Sequence, residues 1–125
     1  MTEITFIGLG NMGLPMAKNL LNANHIIYGF DLVEDQMKKF LEAGGNEEEN
    51  ISKALQKSEI VVTMLPSGKH VKSLYLGDDG IIRNAPDNVL LIDSSTIDVE
   101  SSREVAKSAN EKNLKMLDAP VSGGV

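Results

Sequence analysis

The chain has 125 residues, no cysteine and a formal net charge of −6, and 42% of its residues are hydrophobic. This size and composition suit a single domain with one core. The lack of cysteine excludes disulfides, thiolate metal ligands and a cysteine nucleophile within these residues. An acidic chain with 4% aromatic residues and no basic cluster is a poor partner for nucleic acid or a membrane surface. With no apolar run long enough to span a bilayer, we expect a cytoplasmic protein, or a mitochondrial one if a targeting segment was removed.

The first twenty residues predict a strand, a glycine-rich turn and the start of a helix. A β-branched and aromatic run at 4–7 precedes three glycines at G-x-G-x-x-G spacing, and helically spaced apolar residues follow. Gly8 permits a sharp bend, Gly10 lets a pyrophosphate approach the backbone, and Gly13 lets the helix pack close to the strand. The helix start then presents N–H groups and a partial positive charge to the phosphates. The alternative is a purely structural glycine turn.

The end of the second predicted strand supports the nucleotide-binding interpretation. This strand, at 26–30, ends at Asp31, eighteen positions after Gly13. A carboxylate there can accept hydrogen bonds from both ribose hydroxyls of an adenosine, and it would repel a 2′-phosphate. NAD is therefore favoured over NADP. The alternative is that Asp31 caps the helix that starts near Glu34, and the two roles are compatible.

The remaining chain alternates between apolar runs and helical patterns. Strands are predicted near 3–8, 26–30, 60–65, 89–92 and 115–118, and later helices at 33–41, 51–57, 69–75 and 99–113. This alternation predicts an α/β fold of the Rossmann type, a doubly wound and mainly parallel sheet with helices on both faces. Asn50 or Ser52 is expected to cap the third helix, and Asp98 the last. The acidic segment 46–50 is interpreted as a solvated loop, and 77–80 as a surface turn.

Several polar or turn residues follow the predicted strands, where ligands of doubly wound sheets bind. Leu65 and Pro66 end the third strand and are expected beside the cofactor, although Pro66 alone could serve only to fix the turn. A hydroxyl in 94–96 can reach the nicotinamide end of the cofactor, or can cap a helix. His70 opens the next helix, either on the adenine side of the site or at the surface. No metal site or catalytic triad is predicted.

These motifs together resemble those of the 3-hydroxyisobutyrate dehydrogenases, within the β-hydroxyacid dehydrogenase family, over the whole chain. The motifs are Phe6-Ile7-Gly8-Leu9-Gly10-Asn11-Met12-Gly13 with Pro15-Met16-Ala17, Thr63-Met64-Leu65-Pro66, Asp93-Ser94-Ser95-Thr96-Ile97-Asp98 and Asp118-Ala119-Pro120-Val121-Ser122-Gly123-Gly124. The last two favour this branch over the tartronate semialdehyde and glyoxylate/succinic semialdehyde reductases.

The resemblance implies an oxidation of 3-hydroxyisobutyrate to methylmalonate semialdehyde by hydride transfer to NAD, a step of valine catabolism. It also implies that Ser122, Gly123 and Gly124 bind the substrate carboxylate, and a serine hydroxyl with glycine N–H groups can form such an anion site. The implied cofactor contacts are Gly8, Leu9, Gly10, Asn11, Met12, Gly13, Asp31, Leu65, Pro66, His70 and Thr96.

Members of this family are longer than this chain. They carry a second, helical half with a lysine that acts as general acid and base, so no catalytic residue is assigned within 1–125, which is taken as the dinucleotide-binding domain. We expect the full-length protein to be a homo-oligomer that binds a small 3-hydroxy acid. A free-standing nucleotide-binding module is the alternative. The end of the sequence directly after the Ser122 turn favours the first interpretation.

Overall fold

The computed structural model describes residues 2–120, which contain one sheet of five parallel strands. The strand order is β2-β1-β3-β4-β5, and every neighbouring pair is parallel. The predicted α/β fold with a doubly wound parallel sheet is confirmed. The strands are β1 (Glu3–Ile7), β2 (Ile26–Phe30), β3 (Ile60–Thr63), β4 (Leu90–Asp93) and β5 (Lys115–Asp118).

Six helices connect these strands. Five of them were predicted, with ends that differ by a few residues. The short α5 was missed because four residues are too few to show a helical period. The last helix ends earlier than predicted, since Asn113 has a φ of 60°, which is outside the helical range. The helices are α1 (Gly13–Asn22), α2 (Glu34–Glu42), α3 (Ile51–Lys57), α4 (Gly68–Leu76), α5 (Ile81–Asn84) and α6 (Val99–Glu111).

Apolar side chains pack on both faces of the sheet. Adjacent residues of β3 belong to different clusters, since Val61 lies in the cluster that contains Tyr75 of α4 and Val62 in the cluster that contains Phe40 of α2. The helices α1 and α2 cover one face, and α3 to α6 contribute to the other. Alternation of side chains in a strand explains why a strand buried on both faces reads as a continuous apolar run. No helix within 2–120 is long and apolar enough to cross a membrane.

The strand order places a crevice at the carboxyl end of β1. Within the sheet, β2 pairs with one side of β1 and β3 pairs with the other side of β1, so the strand order reverses direction at β1. The loops that leave β1 and β3 therefore turn to opposite faces of the sheet. This switch point is where doubly wound sheets hold their ligands.

Two predicted helix caps are present. The Asn50 side chain accepts a hydrogen bond from the N–H of Lys53 at 2.9 Å, so Asn50 rather than Ser52 caps α3. Asp98 caps α6 and accepts from the N–H of Ser101 at 2.9 Å and from its hydroxyl at 3.0 Å. These hydrogen bonds lower the pKa of the Asp98 carboxyl.

The Asp98 cap should make stability depend on acid pH. Because the pKa of Asp98 is lower in the folded than in the unfolded protein, its contribution is present above the ordinary aspartate pKa of about 3.9. That contribution is lost as the pH falls through the lowered pKa. Urea unfolding midpoints measured from pH 6 to pH 2 should fall more steeply for the wild type than for Asp98→Asn, whose neutral amide still caps the helix. Equal slopes would contradict the assignment.

Candidate functional site

A cleft of about 1210 Å³ opens at the carboxyl end of β1, at the switch point of the sheet. Its walls come from the glycine-rich turn, the residues that follow β2 and β3, and the first turn of α4. The cleft is the size of a cofactor site rather than of a single water or ion. The predicted cofactor residues that line it are Gly8, Gly10, Asn11, Met12, Gly13, Asp31, Leu65, Pro66 and His70.

The three glycines occupy three different environments. Gly8 has a φ of +101°, and a Cβ there would lie 2.1 Å from the carbonyl oxygen of Met64. A Cβ on Gly13 would lie 1.9 Å from the carbonyl oxygen of Gly8, so the start of α1 packs directly on the turn. At Gly10 no atom of any residue beyond its two chain neighbours lies within 4 Å of the Cβ position. The open space at Gly10 is what the approach of a ligand to the backbone requires.

The start of α1 presents backbone donors to the cleft. Within the part of the chain that the structure describes, no acceptor meets the N–H groups of Asn11, Met12 and Gly13. The next N–H, that of Leu14, donates to the carbonyl of Gly10 at 3.0 Å. Unpaired N–H groups at a helix N-terminus attract anions. Together with the open face of Gly10, these donors fit a pyrophosphate.

Asp31 ties the glycine-rich turn to the residues after β2. Its Oδ2 accepts from the N–H of Leu9 at 2.7 Å, and its Oδ1 accepts from the N–H of Val33 at 2.8 Å. The alternative role as helix cap is wrong, because Val33 occupies the cap position of α2. A carboxylate has about four acceptor sites, and two are used here. Asp31 can therefore still accept hydrogen bonds from two ribose hydroxyls.

Two of the predicted cofactor residues do not line the cleft. The side chain of Leu9 is fully buried in the core, while its backbone N–H binds Asp31 and its carbonyl accepts from the side chain of Gln36. Thr96 is exposed and follows the buried Ser95 just after β4. Leu9 thus contributes to the site only through its backbone groups, and Thr96 is not among the residues that line the cleft.

His70 lies at the exposed mouth of the cleft. Its Nδ1 is 2.7 Å from the hydroxyl of Ser67, the residue that caps α4. Gln36 and the acidic segment 47–49 also line the cleft, and the sequence analysis assigned neither of them to the site. Gln36 bridges α2 to the turn, and nothing in the local sequence distinguishes it from any polar helix residue.

The acidic segment after α2 forms a wall of the cleft rather than only a solvated loop. Residues 47–50 line the cleft, as does the turn at 77–80 that was assigned to the surface. The Nζ of Lys57 donates to Glu48 at 2.6 Å, and this hydrogen bond lowers the pKa of that carboxyl. Among the described residues that line the cleft there is no lysine or arginine. A 2′-phosphate would therefore meet carboxylates and no cation.

Ser122, Gly123 and Gly124 lie outside the described residues, so their substrate role stays a prediction. No group of three or more His, Asp or Glu side chains within 2–120 could hold a metal ion.

Comparison with known proteins identifies the fold and its ligand. Residues 3–125 match the family model described as the NAD binding domain of 6-phosphogluconate dehydrogenase. The chain belongs to this family of NAD-binding domains. The match covers the glycine-rich turn, Asp31 and the residues after β3, so the predicted cofactor, NAD, agrees with the family and with the cleft geometry.

Individual relatives of this NAD-binding domain are dehydrogenases. The chain is 50% identical over all of its length to a 3-hydroxyisobutyrate dehydrogenase of Pseudomonas aeruginosa, of which it covers 42%. It is 44% identical over 99% of its length to an NAD-dependent L-serine dehydrogenase of the same organism, also covering 42%. The 3-hydroxyisobutyrate dehydrogenase of Mycobacterium tuberculosis with L-serine superposes with a TM-score of 0.91 at 41% identity.

The chain spans about two fifths of the length of these relatives. The match with the Mycobacterium tuberculosis structure includes 99% of this chain but only 42% of that structure. The resemblance to the 3-hydroxyisobutyrate dehydrogenases is thus confirmed for the NAD-binding domain. The relatives include both a 3-hydroxyisobutyrate and an L-serine enzyme, so they do not share one named substrate.

Proposed function

We propose that this chain is the NAD-binding part of a dehydrogenase that oxidises 3-hydroxyisobutyrate to methylmalonate semialdehyde, a step of valine catabolism. The choice of substrate rests on the 50% sequence identity with a 3-hydroxyisobutyrate dehydrogenase over the whole chain. The choice of NAD as cofactor is supported by the cleft, where Gly10 leaves space for a ligand and the Asp31 carboxylate has acceptor sites left for the ribose. When bound, NAD supplies the hydride acceptor of the reaction.

The residues of this chain would bind and orient the cofactor. The N–H groups at the start of α1 would bind the pyrophosphate, and Asp31 the adenosine ribose. Leu65, Pro66, His70 and Thr96 would contact the rest of the molecule. A helical second half of the longer protein would supply the lysine that removes the hydroxyl proton, and a homo-oligomer is part of the same proposal.

Replacement of Asp31 should weaken NAD binding. Asp31→Ala removes a carboxylate that would accept hydrogen bonds from the ribose, and we expect a loss on the order of 1.5–3 kcal/mol in binding free energy. Asp31→Asn removes the charge and replaces one of the two acceptor oxygens by an NH2 group, so it should weaken NAD binding and narrow the preference for NAD over NADP. Calorimetric titration of both cofactors with the wild type and both variants tests this. NADP binding by the wild type as tight as that of NAD would defeat the assignment.

The substrate role of Ser122 is testable in the longer enzyme. Ser122→Ala should raise the KM for 3-hydroxyisobutyrate and leave the affinity for NAD nearly unchanged, because the hydroxyl would bind the substrate carboxylate. Steady-state kinetics with a parallel NAD titration separates the two effects. If the affinity for NAD collapses instead, Ser122 belongs to the cofactor site.

L-serine is the second candidate substrate. The chain is 44% identical to an NAD-dependent L-serine dehydrogenase, and L-serine is a 3-hydroxy acid that carries an ammonium group. A turnover panel on the longer enzyme with 3-hydroxyisobutyrate, L-serine, tartronate, 3-hydroxypropionate and 4-hydroxybutyrate decides between them. A kcat/KM highest for L-serine would replace the first proposal, and a maximum for tartronate or 4-hydroxybutyrate would favour the reductase branches.

A further inference from the structure

A chain of hydrogen bonds joins the carboxyl ends of β3 and β4. The hydroxyl of Thr63 donates to Oδ1 of Asp93 at 2.9 Å, and the Tyr75 hydroxyl lies 2.7 Å from Thr63 Oγ1. Because the proton of Thr63 is committed to Asp93, Tyr75 is the donor. Burial raises the pKa of Tyr75, which therefore keeps its proton. The N–H of Ser95 donates to the same Asp93 oxygen at 3.1 Å.

Ser95 extends this network to the turn after β3. The last backbone bond between β3 and β4 runs from Ser94 N–H to Thr63 O at 2.8 Å. Beyond it, the N–H of Leu65 donates to the side-chain hydroxyl of Ser95 at 2.7 Å. Ser95 is only 1% exposed, so water cannot readily replace this acceptor. The Ser95 side chain thus adds one hydrogen bond between the two segments beyond the last backbone hydrogen bond.

A second contact holds the same two segments further along. A Cβ on Gly68, the first residue of α4, would lie 2.4 Å from Oδ1 of Asp98. Asp98 in turn caps α6, so the start of α4 packs directly against the start of α6. Ser95 and Asp98 therefore fix the segment that carries Thr96 against the segment that carries Leu65 and Pro66.

The strand order shows which half of the cofactor this junction serves. Asp31 follows β2, the glycine-rich turn follows the adjacent β1, and β3 and β4 lie on the far side of β1. A dinucleotide whose adenosine binds Asp31 and whose pyrophosphate binds the turn must place its nicotinamide half over the ends of β3 and β4.

We infer that Ser95 is a positioning residue for the nicotinamide half of NAD, because its hydroxyl holds the Leu65 turn at a fixed separation from Thr96. This inference rests on the proposed cofactor contacts of Leu65, Pro66 and Thr96. Ser95 touches no cofactor atom in this scheme. It sets the width of the gap between two segments that do.

Comparison of NAD with AMP isolates this effect in the 125-residue chain. AMP occupies only the Asp31 and glycine-turn end of the site, so Ser95→Ala should raise the dissociation constant of NAD about tenfold and leave that of AMP within about twofold. Amide hydrogen exchange at Leu65 should accelerate in the same variant. Ser58→Ala is the matched control. Ser58 is also a buried serine, its hydroxyl hydrogen-bonds Thr5 and Ala54, and it lies just before β3, at the amino end of the strand rather than the carboxyl end.

The possible outcomes separate this inference from the proposed function. Loss of NAD affinity in Ser95→Ala but not in Ser58→Ala, with AMP affinity retained, supports it. Faster exchange at Leu65 with unchanged NAD affinity overturns it and leaves the proposed function intact, and so does an equal loss for AMP and NAD. If the wild type binds NAD no more tightly than AMP, the proposed contacts of Leu65, Pro66 and Thr96 fail, and the inference fails with them.

Discussion

The 125-residue chain should bind NAD and yet form no NADH in the presence of 3-hydroxyisobutyrate. It contains the glycine-rich turn, Asp31 and the whole cleft. No lysine is among the described residues that line the cleft, and residues 121–125 contain none by sequence. General acid–base catalysis typically contributes 10²–10⁴-fold in rate. Loss of substrate orientation can remove roughly 7–11 kcal/mol more of barrier reduction.

A single assay tests this expectation. Calorimetry first establishes NAD binding by the purified chain, and absorbance of NADH is then followed with saturating NAD and 3-hydroxyisobutyrate. Asp31→Ala, which should bind NAD more weakly, is the control that shows whether an absorbance change depends on the cofactor site. Turnover at the rate of an ordinary dehydrogenase, roughly 1–10³ per second, would show that a catalytic acid and base lies within these residues. The proposal that a second half supplies it would then be wrong.

Gly8→Ala should destabilise the fold itself. The substitution meets two separate penalties, a φ of +101° that an L-residue rarely adopts and a Cβ placed 2.1 Å from the Met64 carbonyl oxygen. The backbone strain is about 1–2 kcal/mol and the overpacking about 1–3 kcal/mol or more. Their sum is a large part of a typical stability of about 5–15 kcal/mol. Thermal unfolding should show a much lower Tm, and NAD binding should be lost with the fold.

Gly10→Ala is the matched control in the same turn. No atom of any residue beyond its two chain neighbours lies within 4 Å of its Cβ position, so the Tm should stay close to that of the wild type. NAD affinity should nevertheless fall, because the added methyl group fills the space in which the pyrophosphate would approach the backbone. A Gly10→Ala variant that binds NAD as tightly as the wild type would remove Gly10 from the site.

The elements that the sequence predicted well are those set by local chemistry. Strands β1 to β4 are built mainly from apolar runs, and such runs have few alternatives inside a doubly wound fold. The packing roles of Gly8 and Gly13 follow from what a Cβ would do in a tight turn. The caps Asn50 and Asp98 were readable because a short polar side chain before a helical period has a direct backbone partner nearby.

The features that only the tertiary structure decided depend on residues far apart in sequence. The Ser95 hydroxyl meets the N–H of Leu65 thirty positions away, and Gln36 reaches Leu9 twenty-seven positions away. The acidic segment 47–49 reads as a surface loop until the fold brings it beside Asp31 in the wall of the cleft. Local sequence sets backbone preferences and burial periodicity. It does not encode which loops meet, because parallel strand pairing and the packing of the crossover helices decide that.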